Sequence, residues 1–141
     1  MRPGVRLACD VGTVRIGVAR SDLHGILAVP LDAIPAGEQS WQAIAALVDE
    51  YEAVEVIVGL PIKLDGTEGA SAVMARDWAQ RLGQTLSIPI TMVDERLTTV
   101  QAQRGLHAAG RTVKSSRSAI DSASAVVLLQ SALERTKGMQ Q

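Results

Sequence analysis

Three carboxylates at distant positions of the 141-residue chain, Asp10, Glu95 and Asp121, are the side chains best suited to chemistry. Asp10 ends an apolar run, and because burying an acid is costly, it needs a partner, a cation or water. Glu95 follows another apolar run, and Asp121 stands near a predicted helix start, where the N-terminus favours the ionised form. Carboxylate oxygens suit hard divalent cations, Mg²⁺ above all. Two such cations can activate water and stabilise the leaving oxygen in phosphodiester hydrolysis.

Each of these acids also has a structural interpretation. Asp10 could cap the amides of the turn that follows it, and Glu95 could pair with Arg96. The spacing Ser118-x-x-Asp121 is that of a helix capping box. No single acid decides the question, and only the three together favour a metal site.

The other potential ligands and nucleophiles point away from zinc or thiol chemistry. Cys9 alternates to the opposite strand face from Asp10, which predicts a small buried hydrophobic side chain. As the only cysteine, it allows no internal disulfide. His24 and His107 are too few and too far apart in sequence to indicate a zinc site.

The elements that must position the acids follow from the apolar pattern. A period of two predicts strands and a helical spacing predicts helices, with Gly and Pro at their ends. Pro30 marks the third strand as an edge strand or interrupts it, and Gly83 is predicted to end the second helix. The predicted strands are 5–10, 15–20, 26–34, 54–58 and 88–93, and the predicted helices are 38–52, 70–82, 98–109 and 118–133.

This order predicts an α/β fold with a five-stranded mixed sheet. The first three strands form an antiparallel meander, and the last two are added in parallel through helical crossovers. Ligands bind at the carboxyl ends of strands in such sheets. If strands one, four and five are parallel neighbours, Asp10 and Glu95 emerge at the same edge. The last helix is apolar nearly all round, so we expect it to be deeply packed.

Composition indicates one globular domain over residues 1–141. The chain is 47% hydrophobic and carries 14 Lys and Arg against 15 Asp and Glu. No apolar run reaches the roughly 18 residues of a membrane span, and the start lacks a signal peptide, which predicts a cytoplasmic protein. Aromatic residues are limited to Trp41, Tyr51 and Trp78, so base stacking on an aromatic platform is not expected.

Charge is distributed unevenly along the chain. Residues 38–68 contain seven acids and one base, whereas residues 96–120 contain five bases and no acid. The basic segment fits either a solvated face or a polyanion contact.

Four motifs in order, spanning nearly the whole chain, resemble the bacterial YqgF/RuvX family. They are Asp10-Val-Gly-Thr-Val-Arg-Ile-Gly-Val-Ala-Arg-Ser-Asp22, Val58-Gly-Leu-Pro61 with Asp65-Gly-Thr67, Val93-Asp-Glu-Arg-Leu-Thr-Thr99, and Ile120-Asp-Ser-Ala-Ser-Ala-Val-Val-Leu-Leu-Gln130. The resemblance implies an RNase H-like fold related to the RuvC resolvase. It also implies that Asp10, Glu95 and Asp121 are the catalytic, metal-binding triad, with Mg²⁺ as cofactor and Mn²⁺ as a substitute.

The remaining motif residues have simpler predicted roles. Gly12 and Gly17 allow a turn and a close backbone approach. Val14 stands where the family often has Lys, which removes one basic contact. The residues expected to contact the phosphate backbone, with Arg96 the strongest candidate because it adjoins Glu95, are Arg15, Lys63, Arg96, Arg111, Lys114 and Arg117.

The sequence therefore predicts a Mg²⁺-dependent endonuclease whose partner is structured RNA or branched DNA, without a membrane. The resemblance places 5′-end processing of pre-16S rRNA slightly ahead of Holliday junction cleavage, which would need a homodimer rather than a monomer. A nucleic-acid-binding ribosome-assembly module with little catalysis is the alternative from another class. A sugar-kinase or actin-like protein needs two such domains, for which the chain is too short.

Overall fold

The computed structural model describes residues 3–98 and 121–139, which form a five-stranded sheet with helices on both faces. In chain order the elements are β1 (Arg6–Val11), β2 (Arg15–Ser21), β3 (Ala28–Pro35), α1 (Ser40–Tyr51), β4 (Glu55–Leu60), α2 (Ala70–Thr85), β5 (Ile90–Asp94), a 3-10 turn (Glu95–Leu97) and α3 (Ala123–Met139). The strand order is β3-β2-β1-β4-β5, antiparallel from β1 to β3 and parallel for β1, β4 and β5. The mixed sheet is confirmed, and β3 with its Pro30 is an edge strand.

The two faces of the sheet are covered by different helices. Because successive strand residues point to opposite faces, Leu7 and Cys9 pack with α1 and α2, whereas Ala8 packs with α3. Cys9 is fully buried, as predicted. Burial raises the pKa of its thiol, so Cys9 stays protonated and is no nucleophile.

Helix α3 is packed along most of its length, as its apolar sequence predicts. Its buried side chains include Val126, Leu129 and Leu133. Gln130 ties the helix to the start of β3: its Oε1 accepts from the Ala28 N–H at 2.9 Å, and its Nε2 donates to the Ile26 carbonyl at 2.9 Å. This buried amide fixes how α3 lies across the sheet.

The predicted end of the second helix is wrong. Helix α2 continues through Gly83, because the Leu86 N–H still bonds to the Leu82 carbonyl at 3.0 Å and Leu86 packs against the core. A glycine inside a helix costs only about 1 kcal/mol relative to alanine, which this packing offsets. Other elements also end later than predicted, the largest differences being β4 at Leu60 and α3 at Met139.

Several predictions fall outside the described residues. They are the helix at 98–109 beyond Thr98, the loop at 111–117 and the first turn of the last helix before Asp121. Within the described residues, no helix combines the length and apolar character needed to cross a bilayer.

Candidate metal centre

Asp10 lies near the carboxyl end of the central strand β1, on the α3 face of the sheet. It is the cross-strand partner of Gly17 in β2 and is partly buried. The turn after β1 is closed by its own backbone, because the Gly12 N–H bonds to the Arg15 carbonyl at 3.0 Å. The Asp10 carboxylate therefore has no required part in closing this turn.

Glu95 reaches toward Asp10 across strand β4. It opens the 3-10 turn directly after β5, and Gly59 of β4 leaves the space for its carboxylate. A Cβ atom on Gly59 would lie only 2.6 Å from Glu95 Oε1. The glycine therefore allows the Glu95 carboxyl to lie over β4, where it forms a hydrogen bond with Asp10.

The electrostatics of this acid pair are unusual for surface carboxylates. Burial, then the hydrogen bond and charge of Asp10, and then the charge of Asp94 raise the pKa of Glu95 from 4.5 to about 7. Two carboxylates in contact do not both ionise readily, so one holds a proton near neutral pH. A divalent cation would take the place of that proton.

Asp121 comes onto the same face of the sheet at the start of the last helix. Its carbonyl oxygen would lie 2.7 Å from a Cβ on Gly17, the strand partner of Asp10. Its carboxylate instead faces Arg15, with 3.7 Å between Asp121 Oδ2 and Arg15 Nε. Gly17 thus permits the close backbone approach predicted for it.

The structure joins two of the three predicted acids. Asp10 and Glu95 are in contact, while Asp121 pairs with Arg15 at the neighbouring strand. Among residues 3–98 and 121–139, no group of three or more potential ligands is arranged to hold a metal ion. The acid pair, rather than a complete triad, is therefore the observed centre.

Ser122 is a positioning residue that the sequence reasoning missed. Its Oγ accepts from the Val18 N–H at 3.0 Å and donates to the Leu31 carbonyl at 2.7 Å. This bridges the irregularity in the β2–β3 pairing beside Gly17. A serine next to Asp121, directly before a largely apolar helix, was the available signal.

Asp94 is a second residue missed by the sequence reasoning. It accepts from the Arg96 N–H at 2.8 Å and so caps the turn that carries Glu95. Its side chain also binds the Arg96 guanidinium, with Nη2 to Oδ2 at 2.7 Å. Hydrogen bonds from Arg96 lower the pKa of Asp94. Arg96 thus neutralises Asp94. The structural interpretation of Glu95 expected Arg96 to pair with Glu95 instead.

The other predicted phosphate contacts vary in placement. Arg15 pairs with Asp121, and Lys63 is exposed with its side chain over Gly69, where an added Cβ would lie 2.8 Å from Lys63 Cε. The predicted contacts outside the described residues are Arg111, Lys114 and Arg117.

A separate open groove of about 670 Å³ lies on the other side of the sheet. Its lining includes Val11, Val73 and both tryptophans, Trp41 and Trp78. Val11 alternates to the opposite face from Asp10, so this groove does not belong to the acid pair.

Known proteins match this chain over nearly its whole length. Residues 4–135 match the family described as "RuvX: Holliday junction resolvase". A protein of Streptomyces avermitilis named "Putative pre-16S rRNA nuclease" is 48% identical, covering 95% of this chain and 88% of its own. One of Thermobifida fusca with the same name is 51% identical, covering 97% and 93%.

Solved structures show the same architecture at low sequence identity. Thermus thermophilus RuvC in complex with Holliday junction substrate superposes with a TM-score of 0.63 at 13% identity, covering 95% of this chain and 96% of RuvC. A second RuvC structure gives a TM-score of 0.57 at 15% identity. The fold is therefore that of RuvC, the RNase H-like fold that the motifs imply.

Proposed function

The chain belongs to the RuvX family, and from that premise we propose that it is a divalent-metal-dependent endonuclease acting in 5′-end processing of pre-16S rRNA. Relatives about half identical to it carry the name of that activity. The observation that carries the proposal is the hydrogen-bonded pair of Asp10 and Glu95 at the carboxyl end of the central strands. Such an acid pair in a nuclease family is suited to cation-assisted phosphodiester hydrolysis.

The donor set fits Mg²⁺, with Mn²⁺ as a substitute. Asp10 and Glu95 offer adjacent carboxylate oxygens, and the pKa of Glu95 is raised first by burial and then by the hydrogen bond and charge of Asp10, so a dication would stabilise the ionised form that this site disfavours. Asp121 would complete the set. Its part-exposed pairing with Arg15 at 3.7 Å is worth only about 0–1 kcal/mol, so leaving Arg15 costs little. The bound metal would activate water and stabilise the leaving oxygen.

The chain's own residues position these acids and the substrate. Asp94 and Arg96 hold the turn that orients Glu95, and Ser122 holds the backbone next to Asp121. Lys63 is an exposed cation suited to phosphate oxygens, and the exposed Arg96 guanidinium would share its charge between Asp94 and a phosphate. Together with Arg111, Lys114 and Arg117, which remain predictions, they would give the protein a salt-dependent affinity for nucleic acid in the cytoplasm.

Holliday junction cleavage is the second candidate, favoured by the description of the family that residues 4–135 match. A junction requires two symmetric cuts, so this function needs a homodimer. A ribosome-assembly module with little catalysis would instead keep salt-sensitive RNA binding after all three acids are replaced by amides.

Cleavage of precursor RNA and of a four-way DNA junction by one preparation tests the proposal. With Mg²⁺ present, we expect the wild type to cut the RNA precursor and Asp10→Asn to lose about 10³-fold in rate while still binding RNA. Asp32→Asn is the matched control, because Asp32 is an exposed acid on the edge strand β3. Cleavage that needs no metal or ignores Asp10→Asn would contradict the mechanism, and preferential junction cutting would select the second candidate.

A further inference from the structure

A closed turn follows β4, the strand whose Gly59 lies beneath the Glu95 carboxyl. Segment 62–68 closes on itself through an antiparallel bridge between its first and last residues. The Lys63 N–H bonds to the Thr67 carbonyl at 3.0 Å, and the Gly66 N–H bonds to the Lys63 carbonyl at 2.8 Å. Asp65 Oδ1 accepts from the Thr67 N–H at 2.9 Å and from its hydroxyl at 2.6 Å. The segment is thus a preorganised finger.

The tip of this finger carries a leucine in full contact with solvent. Leu64 is 96% exposed, whereas the next most exposed large hydrophobic side chain of the described residues, Val14, is 68% exposed. A leucine left in water forgoes the favourable free energy of burying its side chain. Leu64 contributes nothing to the core, so its packing surface is available to a ligand.

The finger is coupled to the residues that hold the acid pair. Strand β4 runs from Gly59, beneath the Glu95 carboxylate, directly into segment 62–68. Arg96, next to Glu95, donates from Nη1 to the Lys63 carbonyl in a long hydrogen bond of 3.5 Å. Leu64 is therefore flanked by Lys63 and by the acid Asp65, and its turn is bonded to the residue next to Glu95.

We propose that Leu64 is a wedge that packs against a nucleobase next to the scissile phosphate, an inference that rests on the proposed nuclease function. One leucine on a narrow finger is far smaller than the roughly 800 Å² that each partner buries in a standard protein interface. It matches the single apolar side chains that enter a base step and unstack it. The exposed Lys63 supplies charge for a neighbouring phosphate.

The free energy of unstacking a base step, compared with that of burying a leucine, sets the class of substrate that such a wedge selects. Unstacking a paired base step costs at least as much free energy as burying one leucine returns. Leu64 therefore engages steps that are already weakly stacked, such as the boundary between a duplex and a single strand. The wedge thus confers a preference for cutting at these boundaries.

Fluorescence of 2-aminopurine tests the wedge directly, because this base brightens when it is unstacked. The probe is an RNA hairpin with a 5′ single-stranded extension, labelled in turn at positions around the junction and bound to Asp10→Asn protein so that it stays intact. We expect one position to brighten, and to remain bright with added Leu64→Met but not with added Leu64→Ala. Leu23→Ala, an exposed leucine in the β2–β3 turn, is the matched control and should keep the signal.

Cleavage kinetics supply the second readout. Leu64→Ala should lower kcat/KM about tenfold on the intact hairpin, the fold-change for about 1.4 kcal/mol of lost contact. An abasic site at the wedged position should restore the rate, because no base remains to be unstacked. If wild type cuts but Leu64→Ala changes neither fluorescence nor kcat/KM, the wedge is overturned and the nuclease stands. If wild type cuts no nucleic acid, the proposed function itself fails.

Discussion

The two faces of the sheet are built from side chains of different size. The side chains that face α1 and α2 are large and apolar. Most of those that face α3 are small, and one of them is the acid Asp10. The first, the large face, carries Leu7, Cys9, Ile16, Val18, Val56 and Val58, and the second, the small face, carries Ala8, Asp10, Gly17, Ala19, Ile57 and Gly59. The large side chains fill one core themselves, whereas the small ones let α3 and the site residues approach the strands closely, with α3 supplying most of the bulk of the second core.

That closeness is what creates the candidate site. Gly59 leaves room for the Glu95 carboxylate, and Gly17 leaves room for the backbone of Asp121. An alanine at either position would place Cβ under 3 Å from these groups. Both faces carry a hydrophobic core, but only the α3 face carries the candidate site, so substitutions on the two faces can separate stability from site geometry.

The largest expected effect on stability comes from the large face. Leu7→Ala should lower the free energy of unfolding by about 3 kcal/mol, because Leu7 is fully buried and its removal leaves a cavity. Urea unfolding measures the loss. Since Leu7 points away from the acids, kcat below the melting temperature should stay unchanged, and a proportional loss of kcat would contradict the division between faces.

On the small face, the expected effect is on catalysis. Gly59→Ala would place Cβ 2.6 Å from Glu95 Oε1, and moving that flexible carboxyl by about 1 Å should cost about 100-fold in kcat. Gly83→Ala is the matched control, because its Cβ would meet only Ile90 Cδ1 at 3.7 Å. Equal activity of the two variants would show that Gly59 does not set the position of Glu95.

Ser122 tests the contact between the start of the last helix and strands β2 and β3. Ser122→Ala leaves the buried Val18 N–H and the Leu31 carbonyl without their partner, which should cost about 2 kcal/mol of unfolding free energy. Thermal or urea unfolding checks this against Ser71→Ala, an exposed serine of α2. A loss no greater than that of the Ser71 variant would mean that water replaces the Ser122 hydroxyl.

The smallest expected effect is the pH dependence of stability. The pKa of Glu95 is raised from 4.5 to about 7, so the folded chain keeps a proton that the unfolded chain releases. The free energy of unfolding should therefore fall between about pH 4.5 and 7 and level off above. Because Glu95 is partly exposed, we expect about 1–2 kcal/mol. In Glu95→Gln this contribution should vanish, and an unchanged slope in that variant would refute the raised pKa.

The sequence was sufficient for the sheet and for the shared edge of two acids. Alternation placed Cys9 and Asp10 on opposite faces, and the order of strands placed Asp10 and Glu95 at neighbouring carboxyl ends. Such features depend on local periodicity and on general rules of chain crossover. The end of α2 was predicted incorrectly at Gly83 because packing of Leu86 outweighed a local propensity.

Side-chain pairing within the site could not be predicted in this way. The contact between Asp10 and Glu95 depends on the space above Gly59, which belongs to a third strand. The partners of Arg15 and Arg96, which are Asp121 and Asp94, depend on rotamers and on backbone turns. These choices differ by about 1 kcal/mol or less for exposed ion pairs, below what residue type and spacing resolve.

The most direct test of the central claim is a crystal structure of the protein soaked in Mn²⁺, with the ion located by its anomalous scattering. We expect a peak bound by carboxylate oxygens of Asp10 and Glu95 at about 2 Å, with Asp121 turned from Arg15 toward it, and no peak there in Glu95→Gln. A fully occupied Mn²⁺ elsewhere, or none between Asp10 and Glu95, would contradict the account.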